Sequence, residues 1–144
     1  MYDEILFPTD GGPASQAALD HALDHAERYD ARLHTLYVVD TTAYASLDAG
    51  AETVISALRQ EGETALEAVA ERAEAADTQV VSEIVSGSPH KQLTDYAEAN
   101  DIDLIVMGTH GRTGLDRYLL GSVTERVVRT ADMPVLTVRV PNDD

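Results

Sequence analysis

Short apolar runs alternate with amphipathic stretches along the whole chain. Five runs have the length and apolar content of strands, and they lie at about residues 3–8, 32–39, 78–86, 103–107 and 134–140. Four stretches of helical periodicity separate them, the longest with Val54, Leu58 and Leu66 on one face. Strands that alternate with helices in this way predict βαβ units and a parallel sheet.

The connections carry signals for the starts of helices. Gly12 is a predicted N-cap with Pro13 at the first helical position, and Ser88 with Pro89 is predicted to cap a later helix. The run at 78–86 alternates more than the others, which favours a strand at the sheet edge. Residues 41–50 are predicted to form a loop or lid.

A cluster of glycines follows the fourth apolar run. Four of the nine glycines of the protein fall within residues 108–121, and Ser122–Glu125 then reads as a capping box that starts a helix. A strand, a glycine loop and a helix start are typical of phosphate binding, because free N–H groups gather at the positive end of the helix dipole. The spacing is neither that of a P-loop nor that of a Rossmann dinucleotide site.

The net charge is strongly negative. Against 26 acidic residues stand ten basic ones, of which Lys91 is the single lysine, and the net charge is −16. An acidic, lysine-poor surface favours a halophilic protein, although an ordinary acidic protein remains an alternative. The same charge disfavours nucleic acid and anionic membranes as partners.

The segment around the glycine cluster is the basic exception. Residues 108–129 carry a local net charge of +2. Arg126 and Arg129 need no ligand to account for them, because positive side chains are favourable at the C-terminal, negative end of their own helix dipole. We therefore assign Arg112 to a polyphosphate ligand.

The glycine spacing resembles a known signature. Gly108, Gly111, Gly121 and Ser122 satisfy Gly-x2-Gly-x9-Gly-Ser, which resembles the ATP-binding signature of the universal stress protein (UspA) family. Further segments resemble the same family, and they are Ile5–Asp10, Leu36–Asp40, Val85–Pro89 and Met133–Val138. The resemblance implies one domain over residues 1–144 and a doubly wound, three-layer α/β fold of the adenine nucleotide alpha-hydrolase type, with a five-stranded parallel sheet in the order 3-2-1-4-5.

The same resemblance places a nucleotide site beside the switch point between strands one and four. The predicted binding residues come from three segments: Pro8, Thr9, Asp10, Val38, Met107, Gly108, His110, Gly111, Arg112, Gly121, Ser122, Val123 and Thr124. By resemblance, Asp10 contacts the nucleoside and the Val38 backbone contacts the adenine edge, while the glycines and Ser122 contact phosphate. Structural alternatives stay open for several of these residues. Asp10 could form an Asx turn, Gly108 and Gly111 could form tight turns with positive φ, Ser122 could be an N-cap, and His110 could be an exposed loop residue.

The function implied is that of an ATP-binding module or switch in a stress response. Mg²⁺ is expected to arrive with the ATP. The alternatives are an enzyme, either a slow ATP hydrolase or another ATP-cleaving enzyme of similar fold, and a family member that acts chiefly as a protein-interaction subunit. The sequence offers no persuasive catalytic base, which disfavours efficient turnover. We further expect an unidentified protein partner and, by resemblance to the family, a homodimer through the apolar edge strand 134–140. We expect a cytoplasmic location, since cysteines, a signal peptide and an 18-residue apolar run are all missing.

Overall fold

Five parallel strands form a single sheet in the computed structural model, which describes residues 1–41, 50–109 and 122–139. The strands are β1 (Glu4–Pro8), β2 (Arg32–Asp40), β3 (Val80–Gly87), β4 (Leu104–Gly108) and β5 (Val135–Val138). The helices are α1 (Pro13–Tyr29), α2 (Ala51–Ala75), α3 (Pro89–Ala99) and α4 (Ser122–Thr130). The strand order is β3-β2-β1-β4-β5 with every pairing parallel.

This order confirms the predicted fold class and the edge position of the third strand. The predicted starts of α1 at Pro13 and α3 at Pro89 are also confirmed, with Gly12 and Ser88 as N-caps. The predicted strand 134–140 is too long, because β5 spans only Val135–Val138. Most of the predicted loop or lid at 41–50 lies outside the described residues.

The helices cover both faces of the sheet because strand side chains alternate. Ile5 and Phe7 of β1 join α1 and α2 in one apolar cluster. Leu6, between them, joins α3 and α4 in another. This alternation makes the three layers, since a strand inside a parallel sheet is buried on both faces.

A close approach sets the position of α2 on the sheet. An added Cβ on Gly62, in the middle of α2, would lie 2.6 Å from the ring of Tyr37 on β2. A side chain at Gly62 would therefore push α2 away from the sheet.

Three helices are followed by aspartates in the left-handed conformation. Asp30, Asp77 and Asp101 have φ of 53°, 58° and 52° after α1, α2 and α3. Glycine is the usual residue there, because a Cβ strains this conformation.

Among the described residues, no helix combines the length and apolar character needed to cross a membrane.

Candidate functional site

A cavity of about 320 Å³ opens at the carboxyl ends of β1, β2 and β4. The strand that follows β1 in sequence, β2, lies on one side of it, and the strand that follows β4, β5, lies on the opposite side. The two connections therefore lead away from each other and leave a crevice between β1 and β4. The cavity is lined by Pro8, Thr9, Asp10, Ser15, Leu36, Val38, Pro89, Leu93, Met107, Gly108, Ser122, Val123 and Thr124.

Nine residues predicted from the sequence meet in this cavity. They are Pro8, Thr9, Asp10, Val38, Met107, Gly108, Ser122, Val123 and Thr124. The other four, His110, Gly111, Arg112 and Gly121, lie outside the described residues. Segments separated by about a hundred residues of sequence thus line one space.

Hydrogen bonds hold the loop between β1 and α1 in place. The Gly11 N–H donates to Thr9 Oγ1 at 3.0 Å, and the Thr9 N–H donates to the carbonyl of Leu36 at 2.9 Å. Gly11 has φ of 81°, which a residue with a Cβ rarely adopts. The loop is thereby fixed to Leu36 in the middle of β2, which lines the cavity.

The carboxylate of Asp10 takes part in this network. Its Oδ1 accepts hydrogen bonds from the Gly12 N–H at 2.8 Å and from the hydroxyl of Ser15 at 3.0 Å. The Asx-type turn of the sequence analysis is therefore present. It uses only one oxygen, and among the described residues Oδ2 accepts no hydrogen bond. The turn and a ligand contact are thus compatible.

Gly108 ends β4 against the first turn of α1. An added Cβ would lie 2.8 Å from the backbone carbon, the carbonyl oxygen and the Cβ of Ala14. Its φ is not in the left-handed region, so the tight-turn alternative with positive φ is wrong for this residue. The reason for glycine here is the close approach of α1.

The start of α4 is joined to the end of β4. Thr124 Oγ1 donates a hydrogen bond to the carbonyl of Gly108 at 2.9 Å, and Thr124 is buried. Ser122 is helical and exposed, whereas the sequence analysis allowed it as the N-cap, which lies outside the helix. Glu125, the predicted partner of Ser122 in a capping box, pairs instead with Arg129 at 2.8 Å. The two ends of the 109–121 segment are thus held together by Thr124.

The sequence analysis missed four residues that line the cavity, and they are Ser15, Leu36, Pro89 and Leu93. Leu36 precedes Val38 by two positions, so both face the same side of β2. Ser15 had a readable signal, because it lies on the same side of α1 as the apolar stripe. A serine at a position that faces the core needs a hydrogen-bond partner.

A second polar cluster lies at the other ends of β1 and β2. The buried ring of His34 places Nε2 2.6 Å from Glu4 Oε1 and Nδ1 2.8 Å from the Tyr96 hydroxyl. The hydrogen bonds from the Arg32 guanidinium hold the pKa of Glu4 below its usual value, and burial raises the pKa of Tyr96. This cluster ties α3 to the sheet.

Within the described ranges, no three His, Cys, Asp or Glu side chains group as metal ligands would.

Comparison with known proteins gives a consistent picture. The family model described as "Universal stress protein family" matches residues 1–139. Universal stress protein MJ0531 of Methanocaldococcus jannaschii is 40% identical over 146 residues, which cover 100% of this chain and 86% of that protein.

Two solved structures are similar to this chain over nearly its full length. The structure of MJ0577 from Methanocaldococcus jannaschii has a TM-score of 0.88 at 33% identity, and the alignment covers 99% of each chain. A universal stress protein in complex with cAMP has a TM-score of 0.71 at 27% identity, with 96% of this chain and 97% of that chain covered.

Proposed function

Because the chain belongs to the universal stress protein family, we propose that its cavity binds ATP or another adenine nucleotide and that the protein works as a nucleotide-dependent binding module or switch. The observation that carries the proposal is the joint lining of one cavity by the Thr9–Asp10 loop, the end of β4 and the start of α4. The complex of a related universal stress protein with cAMP supports an adenine nucleotide.

The cavity has walls suited to the two parts of a nucleotide. Leu36, Val38 and Leu93 form an apolar side, which fits a flat base. Ser122 begins α4 on the other side, where the positive end of the helix dipole favours phosphate. We assign Gly111 and Gly121 to the phosphates on their spacing and Arg112 on its positive charge, and the sugar would then lie beside Asp10.

Magnesium would enter this site with the nucleotide. The donors present among the described lining residues, the Asp10 carboxylate and the hydroxyls of Ser122 and Thr124, are oxygen ligands of the kind that Mg²⁺ takes. The ion would neutralise phosphate charge, while the chain's own residues orient the nucleotide.

Binding is better supported than turnover. Among the described lining residues, Asp10 is the only carboxylate, and its Oδ1 is engaged by Gly12 and Ser15. A general base for hydrolysis has to be placed to take a proton from water. Production of ADP or AMP that depends on Mg²⁺ and is lost in Ser122→Ala would favour the hydrolase instead.

The decisive experiment measures ATP affinity of the full chain in buffered KCl by isothermal titration calorimetry. We expect Gly121→Val to abolish ATP binding with unchanged circular dichroism, because a branched side chain would occupy the phosphate position. Gly50→Val is the matched control, since an added Cβ at Gly50 meets no atom within 4 Å. Equal ATP affinity in Gly121→Val and wild type would refute the proposed site, and a wild type that binds neither ATP, ADP nor AMP would refute the proposed function.

The proposal extends to assembly and environment. We propose that residues 1–144 act as one cytoplasmic domain, that two copies pair through the edge strand β5, and that a further protein reads the nucleotide-bound state. Light scattering that returns a monomer mass would contradict the dimer. The charge of −16 supports a halophilic protein, because dissolved salt screens repulsion between surface carboxylates.

A further inference from the structure

Ser15 is buried beside Asp10, with 6% of its surface exposed, and it lines the cavity. It lies in the first turn of α1, five residues after Asp10. Within the described part of the chain its side chain makes two hydrogen bonds, both to Asp10. Its hydroxyl donates to Asp10 Oδ1 at 3.0 Å and accepts from the Asp10 N–H at 3.3 Å.

These bonds fix both the backbone and the side chain of Asp10. With the Gly12 N–H at 2.8 Å, Oδ1 has two donors. An ionised carboxylate only accepts hydrogen bonds, and Oδ2 accepts none among the described residues. Oδ2 is therefore the oxygen through which Asp10 can accept a hydrogen bond from a ligand.

We propose that Ser15 is a positioning residue that selects nucleotides carrying sugar hydroxyls. By holding Oδ1, it keeps Oδ2 of Asp10 in place to accept a hydrogen bond from a hydroxyl of the ribose. An acceptor-only oxygen pairs with a hydroxyl and repels phosphate, so the same carboxylate directs the phosphates toward α4. This inference rests on the proposed nucleotide function of the cavity.

The test compares ligands as well as variants. Wild type, Ser15→Ala, Asp10→Ala and the double variant are titrated calorimetrically at one KCl concentration with ATP, 2′-deoxy-ATP and 3′-deoxy-ATP. Ser82→Ala, at an exposed serine of β3, is the matched control. Melting temperature and circular dichroism are recorded for every variant.

We expect Ser15→Ala to weaken ATP binding by about tenfold, the effect of one hydrogen bond to a charged group. The loss should shrink to within about twofold for the deoxy-nucleotide that lacks the hydroxyl bound by Asp10, and also in the Asp10→Ala background. Ser82→Ala should bind like wild type. Ser15→Thr, which keeps the hydroxyl, should recover most of the affinity.

Three outcomes overturn the inference while leaving the nucleotide function standing. They are a wild-type ATP affinity in Ser15→Ala, an equal loss for ATP and both deoxy-nucleotides, and an additive double variant. If Ser15→Ala does not fold, the same ligand ratios are read in Ser15→Cys, whose thiol is a weak donor of similar size. A wild type that binds none of the nucleotides overturns the proposed function itself, and the inference with it.

Discussion

Replacement of Gly108 by alanine tests why a glycine ends β4. The new Cβ would lie 2.8 Å from three atoms of Ala14, two of which belong to the backbone of α1. Real Cβ atoms do not approach other atoms so closely, so either α1 or the end of β4 has to move. Backbone in a helix that packs on a sheet gives way less easily than the tip of a flexible side chain.

The expected cost follows from overpacking of a buried site. Inserting a methyl group into a well-packed core costs about 1–3 kcal/mol. Alanine also restricts the unfolded chain, which returns about 0.4–1 kcal/mol where the backbone conformation suits it. We therefore expect Gly108→Ala to lower the free energy of unfolding by about 1–2 kcal/mol.

The assay is equilibrium unfolding in urea, followed by circular dichroism at a fixed KCl concentration without nucleotide. Leaving the nucleotide out separates the packing requirement from any approach of phosphate to Gly108. Gly50→Ala is the matched control, because its Cβ meets no atom within 4 Å and its φ is −74°. The control should remain within about 1 kcal/mol of wild type.

Equal stability of Gly108→Ala and wild type would refute the reasoning from Ala14. A variant that is stable without nucleotide but no longer binds ATP would instead show that the glycine serves the ligand. Loss of both properties fits the packing account, since movement of α1 also displaces Ser15 and the carboxylate of Asp10.

Three other predictions concern stability. Thr124→Val should cost about 1 kcal/mol in urea unfolding, because it removes the hydrogen bond to the carbonyl of Gly108 and leaves that acceptor unsatisfied; unchanged stability would show that this bond contributes nothing. Glu4→Gln should be less stable than wild type at neutral pH, and the difference in stability should narrow as the pH falls below the usual glutamate pKa of 4.5, because the lowered pKa of folded Glu4 stabilises the protein only while the carboxylate is ionised. Thermal melts across pH measure this difference, and melting temperatures of variant and wild type that stay equally far apart at low pH would contradict it. Asp77→Gly should raise the melting temperature, because it removes left-handed strain of about 1 kcal/mol and a negative charge from the negative end of α2, and a lower melting temperature in calorimetry would be the opposite result.

Much of the fold could be predicted because its signals are local. The apolar runs and Pro13 and Pro89 mark strands and helix starts within a few residues of sequence, and the structure has them there. The bounds of the fifth strand were wrong. Thr137 and Val138 continue β5, whereas Arg139 does not, because strand pairing with β4 ends at Gly108. Sequence pattern alone does not contain the length of the neighbouring strand.

The residues of the candidate site also fall into those that local sequence predicts and those that depend on contacts between distant segments. Asp10 and Ser122 were predictable because loops at strand ends and helix starts have recognisable residues. The neighbour of Gly108 was not, since Ala14 lies almost a hundred residues earlier and their contact exists only after α1 packs against β4. Leu93 was missed because in sequence it is an ordinary apolar position on the inward face of α3, whereas Ser15, a serine on the apolar face of α1, was a signal that the sequence analysis did not use.

The positions of β3 and β5 bear on the size of the assembly that we propose. Both strands end the sheet, so each has one side without a neighbouring strand among the described residues. They differ in character, because Ser82 and Glu83 are exposed in the middle of β3, while Val135 and Leu136 of β5 are partly buried and pack against the two apolar clusters. A charged side chain on an edge strand opposes pairing with another strand. In the proposed dimer through β5, a sheet extended at that edge and blocked at β3 would end at two copies, as a closed pair and not a fibre.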